Sequence, residues 1–160
     1  MRWLLFLRFQ VVEMYVGKIT RGDIDLNKLV EDIAKSAEEG IGAIALFIGV
    51  VKGVVDGDKV FSLLYEEYEP YATRKLESIA SDLSSRKGVR DVLIYHWTGE
   101  RKVGEITVVI AVSAIGRKEA IETLAEAIER VKKEVPIFKL EKRESGDYWI
   151  IGDGTRVKRK

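Results

Sequence analysis

The chain has 160 residues, 46% of them hydrophobic, with 27 Lys plus Arg against 26 Asp plus Glu. This is the composition of one globular domain, and a net charge of +1 lacks the one-sided field that broad nucleic-acid binding needs. The absence of cysteine excludes disulfides, thiolate metal sites and a cysteine nucleophile, and a single histidine, His96, excludes a multi-histidine metal centre.

Asn27 and Gln10 are the only side-chain amides beside a charged fraction of 33%, which points to a protein adapted to heat. The opening MRWLLFLRFQ is broken by Arg8 and lacks a small-residue cleavage site, so it does not read as a signal peptide. Residues 1–13 are expected to be an extension ahead of a domain starting at Met14. No stretch approaches the roughly 20 apolar residues of a membrane span, so a cytoplasmic protein without membrane or nucleic-acid partners is expected.

In chain order, residues 11–18 read as a strand. Asp25 then caps a helix with the apolar row Leu26, Leu29, Val30, Ile33 and Ala37, closed by Gly40. Residues 42–51, GAIALFIGVV, form a near-continuous apolar run that suits a strand buried on both faces. The Asp56-Gly57 turn leads to a strand over 60–68, and these two strands are expected to form a hairpin with a long loop. Pro70 opens a helix with Leu76, Ile79, Ala80 and Leu83 inward. Strands over 89–97 and 105–115 follow, joined by TGERKVG.

The longest helix spans 117–134, with Ala120, Leu124, Ile128 and Val131 inward, and Pro136 stops it. Strands over 137–142 and 148–151 flank the Ser145-Gly146-Asp147 turn, and residues 153–160 make a basic, mobile tail. Each helix is followed by two strand-like segments, so the fold class is α+β with a mostly antiparallel sheet and three main helices. One domain covers 14–152.

Candidate chemistry gathers around the end of the long helix. Lys132 continues the row Ile121, Ala125, Ile128 at the edge of the buried face, whereas Lys133 falls with Glu126, Glu129 and Arg130 on the solvated side. Lys139 alternates with Ile137 and Glu141, opposite Phe138 and Leu140. Two amines could therefore converge on one pocket, although lysines in a last helical turn ordinarily just complement the helix dipole. Arg117, after Gly116 at a helix start, is a candidate anion site or a solvated arginine. Phe47, Gly49, Lys52 and Gly53 line the exit of the apolar strand. His96 is either a hydrogen-bonded core histidine or a proton carrier. The acidic-aromatic run YEEYEP matches no metal-ligand spacing, and no metal or cofactor is expected.

These features occur together in one family. Residues 47–53, FIGVVKG, resemble the F-x-G-x-V-R-G signature of the large, catalytic subunit of molybdopterin synthase. LYEEY with Ala72 resembles its L-x-Y-E-x-Y stretch, and His96 with Gly99 its H-R-x-G. Val103-Gly104-Glu105 resembles V-G-E, and residues 113–120 resemble the segment ending H-R-x-x-A. Val135-Pro136-Ile137-Phe138-Lys139 with Glu141 resembles V-P-I-W-K-x-E, with Gly146, Asp147 and Trp149 completing the pattern. The likeness covers about residues 14–152.

The resemblance implies an α/β-hammerhead-like fold and sulfur transfer: conversion of cyclic pyranopterin monophosphate to molybdopterin by installing a dithiolene. The sulfurs would come from the carboxy-terminal thiocarboxylate of a small ubiquitin-like sulfur-carrier subunit, within a heterotetramer built on a large-subunit homodimer. It implies Lys132 and Lys139 as the catalytic residues, with Arg117, Lys52, Phe47, Gly116 and His96 binding substrate. Apart from the resemblance, Arg156 in the basic tail is a candidate for a basic group offered across a dimer. Three positions depart from the pattern: Lys52 and Trp97 replace arginines, and Gly116 stands where the family has histidine. A paralogue that binds the small subunit or a phosphorylated pterin without turnover is the alternative, and a small sensor of phosphorylated ligands is a third reading.

Overall fold

The structure, a computed structural model, describes residues 14–152 and 154–160. The extension over 1–13 lies outside the described residues, as does the beginning of the strand expected from residue 11. The strands are β1 Tyr15–Thr20, β2 Ala43–Val50, β3 Val54–Val55, β4 Asp58–Glu67, β5 Val89–Trp97, β6 Gly99–Lys102, β7 Ile106–Ala114, β8 Ile137–Arg143, β9 Gly146–Ile151 and β10 Thr155–Lys158. The helices are α1 Leu26–Ala34, α2 Tyr71–Ser84 and α3 Arg117–Glu134. The class is α+β, as expected. No helix among the described residues is long and apolar enough to cross a membrane.

Two sheets share the strands. One has the order β1-β5-β7-β2, antiparallel except for the parallel β1–β5 pair; the other runs β10-β9-β8-β4-β3, with β6 also paired to β4. The first sheet carries the main core. Leu76, Ile79, Ala80 and Leu83 of α2 pack with Val92, Ile94, Ile110 and Val112 of the sheet and with Ala127 and Val131 of α3. Burying each large aliphatic side chain here stabilises the fold by about 1.5–3 kcal/mol. On the opposite face α1 contributes Ile33, against Leu93 and Ala111. The periodicities of α2 and α3 thus reach the same side of the sheet, and α3 begins and ends where its sequence signals place it.

The α2–β1 packing depends on the absence of a side chain. A Cβ at Gly17 would lie 2.2 Å from the Leu76 carbonyl carbon, so strand and helix backbones meet almost directly. At α1, the Asp25 carboxylate accepts from the Lys28 amide at 3.0 Å, as its cap position requires. The helix then tightens into a 3₁₀ turn at Lys35–Glu39, ending at Gly40 with φ 99°. That change of period buries Ser36 instead of the expected Ala37, and the Ser36 hydroxyl donates to the Ile33 carbonyl at 2.6 Å.

Several expectations are corrected. β2 is an edge strand rather than one buried on both faces: Leu46, Ile48 and Val50 are exposed on one side, while Ala45 and Phe47 point to α3. β2 and β4 form no hairpin, because β2 pairs with β7 and β4 enters the second sheet. The Asp56-Gly57 turn, with φ of 51° and 76°, instead closes the short β3–β4 hairpin, whose two positive φ values suit the twist of its strands. TGERKVG holds a strand of its own, β6. Nor is the tail loose: β10 pairs with β9 through Thr155–Ile151 to Lys158–Tyr148.

Candidate active site

The end of α3 and the start of β8 build one wall of a cavity. Val131 and Val135 are buried, and Lys132 follows on the turn that faces the second sheet. Lys133 does not line that cavity: its side chain is 60% exposed, with its amine 3.5 Å from Glu129 one turn earlier. Val135 leaves the helix with ψ 124°, and Pro136 then directs the chain into β8. Strand alternation brings Ile137, Lys139 and Glu141 to the cavity, while Phe138, 56% exposed, lies on the other face. Lys139 stands directly opposite Tyr65 of β4, its Nζ 5.7 Å from the ring centroid.

The first sheet supplies the opposite wall. An inner chamber of about 270 Å³ lies among Phe47, Tyr65, His96, Ile110, Ile128 and Val131, with Lys52, Lys132 and Lys139 also lining it. A more polar outer space of about 580 Å³ adds Glu129, Glu141 and Arg156. The site is therefore an apolar chamber with a cationic mouth.

The three lysines at that mouth stand without ion pairs to described residues. Among the described residues the lysines in ion pairs are Lys28, Lys35, Lys133 and Lys142, not Lys52, Lys132 or Lys139. Burial, and then the neighbouring Lys132, hold the Lys139 amine below the usual lysine range. The buried carboxylate lining the cavity is already engaged: Glu141 accepts from Arg143 Nε at 2.5 Å and Arg156 Nε at 3.0 Å. Arg156, which also donates to the Gly154 carbonyl at 3.0 Å, lines the cavity of its own chain.

His96 is buried and donates through Nδ1 to the Trp97 carbonyl at 2.7 Å, because a neutral ring facing a carbonyl must carry its proton there. Burial, with a lesser contribution from Lys139, lowers its pKa to about 4 against the pull of that hydrogen bond. The imidazole is thus uncharged at neutral pH, with Nε2 as an acceptor. Trp97, where the family pattern has arginine, is itself buried and donates from Nε1 to the Gly22 carbonyl at 2.9 Å, pinning the loop after β1. Burial raises the Tyr65 phenol above its ordinary range, so it too is neutral.

Lys132, Lys139, Lys52, Phe47 and His96 therefore line one cavity. Arg117 and Gly116 do not join them. They lie at the other end of α3, fifteen residues before Lys132, and a helical rise of about 1.5 Å per residue separates them by about 22 Å. In a single chain they stand by the start of β2, where the Gly42 amide donates to the Ala114 carbonyl. Tyr65, Glu141 and Arg156 complete the lining without having been singled out for it. Tyr65 could have been found from the strand parity it shares with Glu67, but its partner strand was not legible.

The arrangement can bind an anionic group at three amines, exclude water from an apolar chamber, and exchange a proton at an amine that releases it more readily than an exposed lysine.

Comparison with known proteins gives a consistent result. The MoaE protein family model matches residues 19–134. The molybdopterin synthase catalytic subunit of Pyrococcus abyssi is 40% identical over 123 residues, covering 77% of this chain and 83% of that protein. The Bacillus subtilis catalytic subunit is 38% identical over 133 residues, 83% of each. The crystal structure of molybdopterin synthase from Staphylococcus aureus superposes with a TM-score of 0.73 at 34% identity, covering 83% of this chain and 95% of that one.

Proposed function

We propose, for a chain that belongs to the MoaE protein family, that it is the catalytic subunit of a molybdopterin synthase, an enzyme of molybdenum cofactor biosynthesis. It takes sulfur from the thiocarboxylate at the carboxy terminus of a small ubiquitin-like subunit and installs it on cyclic pyranopterin monophosphate. The observation that carries this reading is the set of unpaired amines, Lys52, Lys132 and Lys139, at the mouth of an apolar chamber in a chain without cysteine. A protein with no thiol cannot hold the sulfur as its own persulfide, which fits delivery on a partner. An extended tail ending in an anionic thiocarboxylate suits a narrow, positively charged mouth.

Lys132, on the rim, positions the thiocarboxylate and moves protons as the sulfur is transferred. Lys139, deeper and less solvated, stabilises negative charge that develops in the reaction or the substrate phosphate. Lys52 adds a third cation without the bidentate geometry of arginine, and Phe47 shapes the apolar wall. The small subunit meets this chain in a heterotetramer built on a homodimer. Arg117 can serve this cavity only from a second copy, since its own chain holds it about 22 Å away.

The test combines the purified chain with thiocarboxylated small subunit and cyclic pyranopterin monophosphate, and follows dithiolene product. Wild type is expected to turn over. Lys132→Ala should abolish turnover, Lys139→Ala should lower it by about 10²-fold or more, and Lys133→Ala should stay near wild type. A complex that forms without yielding product would replace the enzymatic reading with that of a binding module. Equal losses at Lys132 and Lys133 would remove the role given to Lys132.

A further inference from the structure

The Lys139 amine sits where an ammonium should be poorly held. Lys132 from α3 and Lys52 beyond β2 add like charge around the same chamber. Glu129 is paired with Lys133, and Glu141 is shared between Arg143 and Arg156. His96, from β5, is neutral. Among the described residues no carboxylate is paired with Lys139, so burial and the neighbouring Lys132 disfavour its charge without a compensating ion pair.

An attractive surface lies beside the amine. Tyr65 is 4% exposed, is the cross-strand neighbour of Lys139, and presents its ring to Nζ at 5.7 Å from the centroid. His96 packs against Tyr65 with centroids 5.3 Å apart and planes at 67°, which keeps the ring from turning aside. A cation within about 6 Å of an aromatic face is drawn by the ring quadrupole, and more strongly where water is excluded.

We propose that Tyr65 is a positioning residue for Lys139: its buried ring face, braced by His96, holds the amine in place and in its charged form within a chamber that otherwise disfavours an ammonium. This rests on the reading of Lys139 as a working amine. It assigns the role to the π face and not to the hydroxyl. The phenol is no counter-ion, because burial keeps it neutral.

The experiment is a pH titration of the Lys139 side-chain amine by NMR in the full chain, with the signal assigned by its loss in Lys139→Arg. Tyr65→Phe keeps the face and should leave the titration where it is in wild type. Tyr65→Leu removes the face and should weaken proton binding at Lys139 about tenfold. Pentafluorophenylalanine at position 65 keeps the shape while draining the π cloud, and should weaken it similarly even if the leucine variant does not fold. An unchanged titration in the pentafluorophenylalanine protein overturns the proposal. A fall in Tyr65→Phe as large as that in the face-removing variants also overturns it, because the hydroxyl would then be responsible. The readout needs no turnover. A titration that follows the ring in a chain making no product removes the sulfur-transfer reading alone, and active enzyme whose Lys139 ignores the ring removes this proposal alone.

Discussion

His96 shows how strongly burial governs a single group in this protein. It is 5% exposed, and its pKa lies at about 4 in place of the ordinary 6.5. Below about pH 6.5 the unfolded chain takes up a proton that the folded chain refuses, so stability is lost as pH falls toward 4 and is fully present above 6.5. That loss amounts to roughly 3 kcal/mol for this side chain. Urea unfolding at pH 7 and pH 4.5 should show His96→Gln losing much less stability between the two conditions than wild type. Equal losses in the two proteins would mean that the imidazole is not the group responsible. The lysines teach a different lesson at this scale. Helical spacing separates Lys132, which lines the cavity, from Lys133, whose side chain is 60% exposed, although Ile121 and Ala125 of the row that placed Lys132 are themselves exposed. Spacing was silent on Tyr65, because a ring becomes a platform only when the strand opposite carries the amine.

Among the elements, β1 and α2 are joined where Gly17 meets the Leu76 carbonyl carbon with no room for a methyl group. Gly17→Ala would push a Cβ into backbone that cannot yield by changing a rotamer. It should cost about 3 kcal/mol, measurable as a lower denaturation midpoint. A loss below about 0.5 kcal/mol would show that the two elements separate freely. Local signals served well where the cause was local: the Asp25 cap, the Asp56-Gly57 turn, Pro136 and the apolar rows of α2 and α3. They failed for β2. Its unbroken apolar run reads as a strand covered on both faces, yet Leu46, Ile48 and Val50 are exposed on an edge. Hydrophobicity tells which residues resist water; sheet order decides which of them find cover.

For the molecule as a whole, the two sheets and α3 enclose the cavity together, and β10 closes one side. Arg156 on that strand holds the buried Glu141, so deleting residues 155–160 removes both a strand pairing and half of the arginine clamp. The truncated chain should be less stable by about 2 kcal/mol, since a hydrogen bond to a charged group is worth roughly 1.5–3 kcal/mol. It should also turn over more slowly, because Glu141 lines the site. Thermal melting and the dithiolene assay check this, and an unchanged melting point would show the tail to be the dispensable segment its composition suggests.

Short-range pattern determined the helix boundaries, the strand at Val89–Trp97, the α+β class and the two lysines that face one way. Ordered motifs in the same sequence carried the resemblance to a family, which the comparisons bear out. Only the tertiary structure decided that β4 leaves β2 for a second sheet, that Tyr65 lies under Lys139, that Arg156 bonds the Glu141 carboxylate, and that Arg117 stands apart from Lys132. The physical reason is range. Periodicity and turn chemistry act over a few residues, whereas the cavity joins residues from 47 to 156 through sheet register and helix packing, and no local period records those pairings.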